Sequence, residues 1–75
     1  MAVVYSRPGC QPCKATVREL NKQNIPHRVV DITRDPAAAD RVRELGYQAV
    51  PVVEVGGKHW HGFRPDRIKA LKEAA

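Results

Sequence analysis

Several things are scarce in this 75-residue chain, and each scarcity narrows what it does. There are two cysteines, Cys10 and Cys13, and no others. A framework of structural disulfides has nothing further to join. No apolar run approaches the roughly 20 residues that a membrane-spanning helix needs. The N-terminus lacks the charged-then-apolar pattern of a secretory leader, so the cytoplasm, where thiols stay reduced, is the expected compartment. No run of five like charges and no nucleic-acid motif occurs, so neither nucleic acid nor membrane is expected as a partner. Repeats, linkers and low-complexity tracts are also missing. One domain, residues 1–75, is expected, and a core of this size supplies only about 3–5 kcal/mol of stability.

The charge that is present is basic on balance, 13 Lys and Arg against 8 Asp and Glu, for a net charge of +5. The cations are scattered, which reads as a solvated basic surface or as steering toward acidic protein surfaces. Arg7 and Lys14 flank the cysteines and add to thiolate stabilisation there.

Cys10-Gln11-Pro12-Cys13 carries the chemistry. A short apolar strand, Ala2 to Tyr5, precedes it, and the loop Ser6-Arg7-Pro8-Gly9 leads in. Cys13, Val17 and Leu20 then fall at i, i+4 and i+7, one face of a helix expected over about Cys10 to Asn24. Cys10 therefore stands at the helix N-terminus, where unpaired N–H groups and about half a positive charge favour a thiolate. Pro12 suits the first turn, where no N–H partner is lost. This spacing in a strand-to-helix setting reads as a dithiol redox site with a reversible Cys10–Cys13 disulfide and no bound cofactor.

The lowered pKa alone does little. Moving a thiol from about 8.5 to about 7 raises its thiolate fraction at neutral pH roughly 15-fold. The accompanying loss of nucleophilicity returns a factor of roughly 5, leaving about threefold. The larger gain is the high effective concentration of Cys13 beside a mixed disulfide on Cys10. Cys10, on the loop side, is the expected nucleophile, and Cys13, on the apolar stripe, the resolving thiol. Half of a zinc site is the rival reading, making the chain a small metal-bound interaction module. His27, His59 and His61 are its available completions, but His59-Trp60-His61 does not match the usual separation of three to five residues.

His27 to Asp31 follows as a second strand, making a right-handed βαβ unit with parallel strands. Asp35 and Pro36 open the next helix as N-cap and first helical residue, with Ala38, Val42 and Leu45 as its apolar stripe and Gly46 at its C-terminal end. Val52 to Val55, the turn Gly56-Gly57 and Lys58 to Trp60 form an antiparallel hairpin. Pro65 and Asp66 begin the last helix, with Ile68 and Leu71 facing in. The expected fold class is α/β: a four-stranded mixed sheet with three helices on both faces, in the order β-α-β-α-β-β-α. That order, with the cysteines after the first strand, matches the thioredoxin fold in its small glutaredoxin-like form.

At Trp60-His61-Gly62-Phe63-Arg64-Pro65-Asp66 the match narrows. The stretch closely resembles the Trp-Ser-Gly-Phe-Arg-Pro-Asp/Glu signature of NrdH-type redoxins. Val30-Asp31-Ile32, Leu45-Gly46-Tyr47 and Ala49-Val50-Pro51-Val52-Val53 extend the resemblance over nearly the whole chain. It implies a glutaredoxin-like body that behaves as a thioredoxin. Such a monomer takes electrons from NADPH through thioredoxin reductase and passes them to the large subunit of class Ib ribonucleotide reductase. It implies that Cys10 and Cys13 are the active pair. It also implies that Val50-Pro51 is a cis peptide opposite them, leaving the preceding backbone free to pair with an extended substrate segment.

Partner contacts are then expected at Arg7, Gln11, Pro12, Val50 and the Trp60–Arg64 loop: Trp60, His61, Gly62, Phe63 and Arg64. Trp60 and Phe63 are expected to be largely structural within that loop. Two positions depart from the family pattern: Gln11-Pro12 replaces the common Val-Gln, and His61 stands where serine is usual. The alternative is a glutaredoxin working with glutathione or another small thiol. Glutaredoxins grip the glutathione amine with acids near the last helix, and Arg64 puts a base there.

Overall fold

Strand β1 (Ala2–Ser6) is the rod on which the other elements assemble. It does not alternate apolar with polar residues, and a strand of that kind must be covered on both faces. Ala2 and Val4 are buried on one side and Tyr5 on the other. In the computed structural model, which describes residues 1–74, β1 pairs in parallel with β2 (His27–Asp31) and antiparallel with β3 (Val52–Val55). Strand β4 (Lys58–His61) pairs antiparallel with β3 and completes the order β2-β1-β3-β4. The helices are α1 (Gln11–Lys22), α2 (Pro36–Glu44) and α3 (Pro65–Ala74). This is the expected mixed sheet in the expected element order.

Two apolar clusters cover the sheet. On one face, Leu20 of α1 and Ile68 of α3 pack with Ala2, Val4, Val53 and Trp60, while Val17, Ile25, Val55 and Leu71 close the margin. On the other face, Ala38 and Val42 of α2 pack with Tyr5 and Val52. The buried side of α1 includes Thr16 as well as Cys13 and Leu20. Its hydroxyl donates to the Pro12 carbonyl at 2.8 Å, which is why a polar side chain is tolerated there. None of the helices is long and apolar enough to cross a membrane, among the described residues.

Two helix ends share one device. Helix α1 stops at Lys22, short of the expected Asn24, because Asn24 takes a left-handed conformation at φ +57°. Its N–H then donates to Asn21 O at 3.1 Å, and Ile25 N–H donates to Leu20 O at 3.0 Å. Ile25 packs in the same cluster as Leu20, so the turn is fastened by apolar contact as well. Helix α2 ends likewise through Gly46, with Gly46 N–H on Arg43 O and Tyr47 N–H on Val42 O. At its other end Asp35 accepts from Ala38 N–H at 3.1 Å, the expected N-cap.

One expectation fails. Phe63 is not core: it is 41% exposed, because Gly62 ends β4 and turns the following residue away from the sheet. Trp60 is buried at 4%, within the cluster under α3.

Across the second face, Glu54 accepts from the buried Tyr5 hydroxyl at 2.9 Å and from Arg41 of α2. The Arg41 guanidinium first, and the tyrosine hydroxyl with it, hold the Glu54 carboxyl below its ordinary range, while Arg41 is pushed up by the same contact.

Replacing Leu20 by alanine should cost about 2–5 kcal/mol. That is comparable with the whole stability of a core this size, so urea titration of L20A should find a largely unfolded chain; a midpoint near that of the parent would refute the packing described. Glu54 makes a pH prediction. Its folded pKa is depressed, so its contribution is present above the unfolded value, about 4.3, and is lost as pH falls through the folded value. The melting temperature of the parent should therefore drop more steeply than that of E54Q below about pH 5; parallel curves would deny the carboxylate this role.

Candidate functional site

The site begins where β1 ends. The loop after Ser6 brings Cys10 to the N-cap of α1, in extended conformation at φ −91° and ψ 109°. Cys13 N–H donates to Cys10 Sγ at 3.3 Å, so the sulfur takes the place that a serine or aspartate oxygen takes at other helix starts. Lys14 N–H reaches Cys10 O at 3.2 Å and closes the first turn. Pro12, one of the first two helical residues, withdraws no donor that the helix needs. The two cysteines are joined as a disulfide with their Cα atoms 5.3 Å apart. Cys10 is 9% exposed and Cys13 2%, so the sulfur on the loop side is the more open of the two.

Val50-Pro51 is cis, and Pro51 is buried. The Val50 carbonyl lies 3.8 Å from Cys10 Sγ. Pro51 O in turn accepts from Gly62 N–H at 2.8 Å. One chain of contacts thus joins the cysteines, the Val50–Pro51 turn and the exit of β4. Gln11 and Pro12 are exposed beside the disulfide. Arg7 lines the grooves on both sides of it.

The remaining expected residues are spread more widely. Trp60 lies in the core, with the Arg67 guanidinium carbon 5.9 Å from its ring centre. His61 is exposed and stacks on Tyr47 with ring centres 5.9 Å apart, while His59 Nδ1 bonds the Tyr47 hydroxyl at 2.8 Å. His27 Nδ1 bonds Ile25 O at 2.8 Å. No group of three or more His, Cys, Asp or Glu side chains is placed to share a metal ion, among the described residues. Arg64 donates to both Asp66 oxygens, at 3.2 and 3.0 Å. That contact pushes the Arg64 pKa up and holds the Asp66 carboxyl below its usual range. Phe63 borders a shallow groove with Ala15, Arg18 and Lys22, on the solvent side of α1.

Sequence reading missed Val29 and Arg18, which flank the site. Val29 is 49% exposed and faces the groove beside the disulfide. The signal for Arg18 was present: it follows Lys14 by four residues, one helical turn.

Residues 2–60 match the Glutaredoxin family model. The chain is 37% identical to the glutaredoxin-like protein NrdH of Escherichia coli over 71 residues, covering 95% of this chain and 88% of the relative. It is 31% identical to NrdH of Lactococcus lactis subsp. cremoris, covering 95% of this chain and 99% of the relative. Among solved structures, it superposes on the glutaredoxin-like NrdH-redoxin of E. coli with a TM-score of 0.88 at 36% identity, over 93% of this chain and 92% of the other. The disulfide at the start of α1, the cis Val50-Pro51 turn opposite it and these similarities converge: the chain belongs to the glutaredoxin family, as one of its NrdH-type glutaredoxin-like proteins.

Proposed function

We propose that the chain is a dithiol–disulfide electron carrier with Cys10 as nucleophile and Cys13 as resolving thiol. The observation that carries this is the placing of Cys10 Sγ at the N-cap of α1, where it accepts from Cys13 N–H and faces the Val50 carbonyl. The same N–H would hold a Cys10 thiolate in the reduced protein, together with the positive end of the helix. The thiolate attacks one sulfur of a partner disulfide and expels the other as a thiolate. Cys13 then loses its proton, attacks Cys10 Sγ, and frees the second partner sulfur. Two electrons pass to the partner, one of its two protons coming from Cys13 and the other from solvent, and the Cys10–Cys13 disulfide remains.

The E. coli NrdH-redoxin has a thioredoxin-like activity profile. Carried to this chain, that profile makes thioredoxin reductase, fed by NADPH, the reductant. The NrdH-type resemblance makes the large subunit of class Ib ribonucleotide reductase the acceptor, with the carrier working as a cytoplasmic monomer. Pro51 fits a role in docking the partner backbone: its buried turn leaves the Val50 main chain facing the disulfide, where an extended segment can add as a strand. Gln11, Pro12 and Arg7 border that position, with Gly62 behind it.

Glutathione is the weaker substrate on this reading. The acid that remains near α3, Asp66, already holds Arg64 by two hydrogen bonds, so it is not free to bind an amine.

NADPH oxidation measured with thioredoxin reductase and a disulfide substrate should exceed that with glutathione and glutathione reductase. Cys10→Ser should abolish turnover, whereas Cys13→Ser should still trap a mixed disulfide without completing the cycle. Turnover with glutathione alone would replace this reading with that of a glutathione-dependent glutaredoxin. Arg64→Gln, which releases Asp66, should raise the glutathione-coupled rate; no rise would remove the ion pair as the reason for discrimination.

A further inference from the structure

Beside the disulfide lies a groove of about 430 Å³ between α1 and the edge strand β2. It adjoins Phe63's groove at Arg18 and the groove that holds Val50 at Arg7. Cys10 and Cys13 close one end. Val17 and Val29 form an apolar floor, and Arg7, Lys14 and Arg18 stand along it. Lys14 and Arg18 are one helical turn apart on the same flank of α1, so their charges form a row leading from the disulfide.

No carboxylate lines this groove among the described residues. None of its three cations has an ion-pair partner among the described residues. Three unneutralised cations in a concave wall raise the local concentration of an anion and favour its entry orientation.

We propose that this groove receives an acidic, cysteine-bearing segment of the partner protein, with carboxylates against Arg7, Lys14 and Arg18 and an apolar side chain on Val17 and Val29. The groove thereby selects among disulfides by the charge of their flanking residues. This rests on the dithiol reading above. The chemistry is the one given there: the segment's disulfide gains two electrons and two protons and leaves as two thiols, while the Cys10–Cys13 disulfide forms. Each exposed ion pair contributes a factor of roughly two, so three together favour an acidic segment on the order of tenfold at low salt.

The test uses the reduced full chain and three synthetic peptides that each carry one disulfide. The cysteine spacing is identical, and the flanks are Asp/Glu, Ser/Gly or Lys. Reaction is quenched with acid, and thiols are counted by alkylation and mass. The acidic peptide should be reduced on the order of tenfold faster than the neutral one and the lysine peptide slower still, with the ratio collapsing as salt is raised. The combined variant Arg7→Gln, Lys14→Gln, Arg18→Gln should bring the acidic-to-neutral ratio close to one. Using that ratio cancels any change in the reactivity of Cys10 itself. A second variant, Lys58→Gln, Lys69→Gln, Lys72→Gln, removes the same charge from exposed positions on β4 and α3 that do not line the groove and should keep most of the preference.

Equal rates for the three peptides would overturn the proposal, and so would an equal loss of preference in both variants, since net charge alone would then explain it. Reduction of none of the peptides would instead bring down the dithiol reading, and this proposal with it.

Discussion

A sulfur serves here as a helix cap, and the rest of the site depends on it. Cys13 N–H points at Cys10 Sγ because β1 ends in register to deliver Cys10 to the first turn of α1. That delivery requires β1 to be held on both edges and α1 to be pinned by Leu20 against Val4, Val53 and Ile68. The core therefore fixes the position of a reactive atom as well as the shape of the chain. Thr16 adds to the same end, since its hydroxyl ties the helix interior to the Pro12 carbonyl within the motif.

Much of this was legible in the sequence, for identifiable reasons. Strands β2 and β3 were readable to the residue because turn and cap residues bound them: Pro26 before His27, Pro51 before Val52, and Gly56-Gly57 after Val55. The two turn glycines take φ of +52° and +85°, the pair that a two-residue hairpin needs. Asp35, Pro36 and Gly46 marked α2 in the same way. The end of α1 was less legible because an asparagine does there what glycine does for α2, and asparagine also occurs inside helices.

The surface of the site was harder to read. Phe63 looked like core because it is large and apolar, yet a loop position after Gly62 decides its exposure, and no periodicity reports that. Arg64 read as a free base, but Asp66 two residues on takes both its donors. Charge pairing of this kind is a matter of rotamers and loop path. It separates the scattered cations into those neutralised by neighbours and those left open, and composition alone treats them alike.

The sheet has two free edges, and each bears positive charge. Arg28 is exposed on β2, and Lys58 is exposed on β4 beside the exposed His59. Unpaired backbone along an edge invites another copy to extend the sheet, and cationic side chains there make like edges repel. A small protein with few apolar side chains to spare gains protection from self-aggregation in this way, while at the opposite end of β3 from the hairpin the Val50 carbonyl lies against Cys10 Sγ.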